Sequence, residues 1–109
     1  MQARYRFAVW MLTLACGVAQ GQDNKALFDK GRQLFLQGAT PSCTLCHTLK
    51  EAGSTGAVGP VLDELKPDAS KVATALRNGV GAMPSFRNTL SEEQIAALAW
   101  YVAKASAGQ

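Results

Sequence analysis

Cys43-Thr44-Leu45-Cys46-His47 is the stretch on which the reading of this chain turns. Two thiols three positions apart fall within one turn of backbone, and an imidazole follows at once. Three chemistries use such a cluster. A structural zinc ion wants four Cys or His ligands, but His47 is the only histidine and the remaining cysteine, Cys16, lies far upstream. A thioredoxin-like redox pair belongs beside a βαβ pattern, and nothing strand-like precedes Cys43. The third is covalent capture of a haem: each thiol forms a thioether to one vinyl group on an edge of the macrocycle, and the adjacent histidine binds the iron. The spacing points to that third use.

Upstream of the motif, the first residues read as an export signal. Arg4 and Arg6 give a positive flank, Phe7 to Ala15 an apolar stretch, and Ala19-Gln20-Gly21 a small-x-small cleavage site, so residues 1–21 are expected to be removed and 22–109 to form the domain. The apolar run is about half the roughly 20 residues of a membrane span, so no span is expected in the mature protein. A retained anchor and lipid attachment at Cys16 are the alternatives, and Thr13-Leu14-Ala15 suits the latter poorly. Export fits an oxidising compartment, the periplasm, in which the CxxC thiols are consumed by something other than a disulfide framework.

Loss of Arg4 and Arg6 takes the 11 basic side chains to nine, against 8 acidic ones. Two haem propionates would then bring the balance slightly negative. The formal +3 of the whole chain is therefore no signature of nucleic acid or of a membrane surface. A domain this small gains structurally from a bound group, because so short a chain buries little apolar surface alone.

Helical periodicity predicts a first helix over Asn24 to Gln37, stopped by Gly38 and Pro41. Glycines at 53, 56 and 59 deny regular structure from Lys50 to Pro60, and no period-2 strand is expected anywhere. A helical turn is expected over Val61 to Leu65, and a helix capped by Asp68 over Ala69 to Asn78, ended by Gly79. Gly79 to Phe86 reads as an irregular loop. Ser91 with Gln94 forms a capping box for a last helix whose stripe is Ile95, Leu98, Ala99 and Val102. Loops this long fit so small a domain if they wrap a cofactor.

With one histidine, bis-histidine ligation within a single chain is excluded by counting. Met83 is the only methionine after the signal, in a loop bounded by glycine and proline. Its thioether is a soft, neutral ligand for haem iron, though a methionine there also serves as an ordinary gap filler. His47 needs an acceptor for its second ring nitrogen, and the carbonyl of Pro60, in Gly59-Pro60, is the best placed. A shell of Val61, Leu62, Leu65, Val72, Leu76 and Phe86 is expected around the group.

These residues resemble the class I cytochromes c of the small bacterial monohaem type. The resemblance runs over nearly all of residues 24–105: Gly31 and Phe35, CTLCH at 43–47, Gly59-Pro60, Leu76-Arg77-Asn78-Gly79, Met83-Pro84 and Trp100-Tyr101. It implies an all-α fold of three to five short helices and long loops around one covalently attached haem c. It also implies His47 and Met83 as axial iron ligands, the Pro60 carbonyl holding His47, and Gly31 and Phe35 meeting the Trp100/Tyr101 region. Trp100 itself is expected to be a buried core aromatic.

With both axial positions filled, such a protein carries single electrons and is not itself an enzyme. Its partners would be redox proteins, a donor dehydrogenase or a terminal oxidase, met at the edge around Thr44 and Leu45. Three alternatives stay open: a tightly bound cytochrome subunit of a periplasmic dehydrogenase, a gas-binding or peroxidatic haem protein if Met83 is not a ligand, and a thiol redox module if the cysteines are free.

Overall fold

The computed structural model describes residues 19–108; the basic flank and apolar stretch of the expected export signal, and Cys16, lie outside these residues. In chain order the elements are α1 (Ala19–Gln33), a π turn (Leu34–Gly38), α2 (Cys43–Cys46), β1 (Thr48–Leu49), β2 (Ser54–Thr55), α3 (Leu62–Leu65), α4 (Ala69–Asn78) and α5 (Glu92–Ser106). The fold is the small helical architecture expected, with two departures.

The first helical segment ends at Gly38 as its stop signals require, but its last turn is a π turn instead of continued α-helix. The wider turn lets two successive residues, Leu34 and Phe35, both face inward. The second departure is a two-stranded antiparallel hairpin in the segment read as irregular, with Thr48 opposite Thr55 and Leu49 opposite Ser54. Four residues are too few to carry an alternating pattern. What closes the hairpin is a side chain: Ser54 Oγ accepts from the Leu49 N–H at 3.1 Å, while Leu49 is fully buried.

The caps act where the sequence puts them. Asp68 Oδ1 accepts from the Lys71 N–H at 2.7 Å to start α4. Ser91 and Gln94 exchange both capping-box bonds at the start of α5, at 3.1 and 2.9 Å, each satisfying an N–H that the first turn leaves free.

The core forms where α1 crosses α5. Gly31 is buried there, and a Cβ on it would meet the Ala97 backbone and lie 2.5 Å from Tyr101 Cβ. Around that crossing Phe28 and Phe35 stack edge-on against the Tyr101 ring, with centroids 4.9 and 5.7 Å away. Trp100 is not the core aromatic it was expected to be. It is only half-buried, with Lys104 Nζ 4.6 Å from its ring centroid. At 3.6 residues per turn it lies on the side of α5 opposite Ile95, Leu98 and Val102, so Tyr101 alone turns toward Gly31 and Phe35.

Tyr101 also ties three elements together. Its hydroxyl donates to Glu51 Oε2, and Glu51, in the hairpin turn, accepts from Arg32 Nε of α1 at 2.8 Å. Burial, reinforced by the Glu51 carboxylate, raises the Tyr101 phenol well above its ordinary value of 10. A folded pKa above the unfolded one contributes stability that is complete below pH 10 and is lost as pH rises beyond it. Tyr101 is the only tyrosine of residues 22–109, so ultraviolet titration reads it alone. The phenolate is expected only as the protein unfolds in alkali; a titration near pH 10 with the fold intact would contradict this.

Candidate functional site

Between α2, the loop that follows it, α4 and the 79–90 loop lies a cavity of about 360 Å³, within the range of small-molecule sites. Cys43, Cys46, His47 and Met83 all line it, so residues spread over forty positions converge on one space. Its walls are otherwise mainly apolar. Leu62, Leu65, Val72, Leu76 and Phe86 of the expected shell are present, and Val61 is not among the lining residues. Phe35, Leu98 and Val102, which the sequence marked only as helix-core residues, also form part of the wall.

Local structure positions each group. α2 is a single turn that brings both cysteines to one side of the cavity, and the His47 N–H bonds back to the Cys43 carbonyl at 3.0 Å as the chain leaves it. Burial pushes the Cys43 thiol up to about 11, so it is held neutral where it stands. The returning loop packs on the motif: the Gly59 N–H donates to the Cys46 carbonyl at 2.7 Å, and Cβ atoms on Gly56 or Gly59 would strike the Cys46–His47 backbone or the His47 ring. His47 Nδ1 lies 2.8 Å from the Pro60 carbonyl. A carbonyl only accepts, so Nδ1 carries the proton and Nε2 is left with its lone pair for a metal.

Met83, half-buried, lies in the loop after α4. Val80 and Met83 exchange both backbone hydrogen bonds, at 3.0 and 2.9 Å, which closes a tight turn around Gly81 and Ala82. Lys71 borders the cavity, while Arg87 is engaged elsewhere, with Arg77 and Asn78. Among the described residues no group of three or more His, Cys, Asp or Glu side chains is arranged to hold a metal ion unaided. The donor set fits a haem instead: two thiols in one turn, one oriented imidazole, one thioether and apolar walls for a flat macrocycle.

Helices wrapped around such a cavity, with CxxCH on its wall, define a small monohaem class I cytochrome c. Residues 26–102 match the family described as cytochrome c oxidase, cbb3-type, subunit III, and the chain belongs to that family. Among solved structures it is similar to the c-type cytochrome SorU from Sinorhizobium meliloti, at 48% identity and a TM-score of 0.73, over 75% of this chain and 93% of that one. No curated protein matches it. The chain is a c-type cytochrome with one covalently bound haem c, a group whose chemistry is electron transfer. No helix among the described residues is long and apolar enough to cross a membrane.

Proposed function

We propose that this chain is a periplasmic carrier of single electrons between redox proteins. In this reading residues 1–21 are a cleaved export signal and 22–109 the cytochrome domain. Cys43 and Cys46 hold the haem, and His47 and Met83 are its axial ligands. The observation that carries the reading is the convergence of those four side chains on one apolar cavity.

The haem, when bound, supplies one-electron exchange between ferric and ferrous iron. The chain's residues set the terms of that exchange. Pro60, by accepting from His47 Nδ1, fixes the ring and raises the basicity of Nε2. Met83 adds a neutral sulfur ligand, and the apolar walls disfavour the more charged oxidation state, so both raise the reduction potential. With two protein ligands no coordination position remains for a substrate. Leu45, between the two thiols, is 66% exposed and offers an apolar contact where a partner would dock.

A potentiometric titration of the holoprotein tests the reading. It should follow a single one-electron Nernst curve, and carbon monoxide should leave the reduced spectrum unchanged; a carbon monoxide complex would favour the gas-binding alternative.

A second reading, a cytochrome held permanently in an oxidoreductase complex, is favoured by the family's description as an oxidase subunit. Release of the free cytochrome from its native membranes or extracts by moderate salt would support the shuttle, and co-purification with a larger enzyme would support the subunit.

A further inference from the structure

α4 ends by leaving its last carbonyls without helical partners, and the loop that carries Met83 takes them up one after another. The Gly79 N–H bonds to the Ala75 carbonyl at 2.8 Å, and the Phe86 N–H to the Leu76 carbonyl at 2.7 Å. The Arg77 carbonyl accepts from the Ser85 hydroxyl and, at 3.4 Å, from Arg87 Nε. Arg87 Nη2 adds a bond to Asn78 Oδ1 at 3.1 Å, and the Arg87 N–H donates to Ser85 Oγ at 3.2 Å. The guanidinium thus sits at the negative end of the helix dipole, where a cation is favoured.

This arrangement brackets Met83. On one side it is tied to Val80 by the reciprocal backbone pair; on the other, beyond Pro84, the chain is clipped to α4 by Ser85, Phe86 and Arg87. Gly79 makes the close return possible: its φ is 72°, and a Cβ there would stand 2.8 Å from the Met83 carbonyl oxygen and 3.0 Å from the Ser85 nitrogen. A loop pinned at both ends presents the thioether with little conformational freedom left to lose.

We infer that Ser85 and Arg87 are positioning residues for the sixth iron ligand, acting as a clamp that holds the Met83 loop closed against the C-terminus of α4. The inference rests on Met83 ligation. Ser85 is its centre, because one hydroxyl both donates to the helix and accepts from the Arg87 backbone.

The test is competition for the ferric iron by added imidazole, which binds only when Met83 leaves, read on the folded holoprotein from loss of the sulfur-to-iron band. Ser85→Ala should raise the apparent imidazole affinity roughly tenfold, the equivalent of two ordinary hydrogen bonds. Arg87→Gln should raise it by about threefold to tenfold. Ser85→Thr, which keeps the hydroxyl, should stay within about twofold of the parent. Arg32→Gln removes a guanidinium of another element, one paired with Glu51, and should leave the affinity unchanged. The proposal is overturned if Ser85→Ala and Arg87→Gln bind imidazole like the parent, or if Arg32→Gln rises equally. A parent protein without the sulfur-to-iron band overturns Met83 ligation itself, and the clamp with it.

Discussion

A chain with both thiols removed, Cys43→Ser with Cys46→Ser, is expected to release its haem into acidified organic solvent and to unfold once the haem is gone. The parent should retain its haem under the same extraction, because two thioethers must break before it can leave. The unfolding follows from the cavity. Left dry, an apolar space of about 360 Å³ forfeits the dispersion contacts of the atoms that line it. Filled with water, it leaves Leu65, which is 46% exposed, and the half-buried Val72 and Met83 without the apolar partner that would bury them, at about 25 cal/mol per Å². Either way α4, whose Val72, Ala75 and Leu76 line the cavity, loses one of the surfaces it packs against. Far-ultraviolet circular dichroism of the extracted double variant checks this: loss of most helical signal is expected. A helical, cooperatively melting haem-free chain would contradict the view that the haem is part of the core.

The second large effect is expected at Gly31→Val. The crossing of α1 and α5 is set by backbone touching backbone, since even a Cβ on Gly31 would collide with Ala97. Carbonyl groups in the middle of a helix do not yield as a flexible side chain does, so the helices must separate and Tyr101 must lose its edge-on contacts with Phe28 and Phe35. The cost should reach about 3 kcal/mol, the upper part of the range for overpacked cores, lowering the melting temperature of a domain this size by roughly 10 °C or more. Because Gly31 does not line the cavity, the visible spectrum of the folded fraction should be that of the parent. A variant as stable as the parent would mean that the crossing is looser than its geometry implies.

Much of this was legible because the relevant signals are local. The CxxCH spacing, the Asp68 cap, the Ser91/Gln94 box and the Gly79 stop each act within four residues or so, and the structure puts the helices where they indicate. Longer-range features left no such trace. Glu51 is 19 residues from Arg32 and 50 from Tyr101, and nothing in the turn Lys50-Glu51-Ala52 announces a partner on either helix. The hairpin depends on one serine hydroxyl and not on an alternating pattern. Phe35, Leu98 and Val102 obey the helical period of a core, which reads the same whether the core is protein or cofactor. For Trp100 residue type and geometry point in different directions: its size suggests burial, while its angular position on α5 leaves it only half-buried.

The central claim is that His47 and Met83 hold the iron, and the spectrum of the ferric protein tests it most directly. Expressed with its signal in a host that matures c-type cytochromes, the parent should be low-spin and carry the weak near-infrared sulfur-to-iron band. Met83→Ala should abolish that band and lower the reduction potential by on the order of 0.1 V or more, since axial ligation sets potentials over a range of about 0.8 V. A band that survives in Met83→Ala, or a parent that is high-spin or lacks the band, would contradict the assignment.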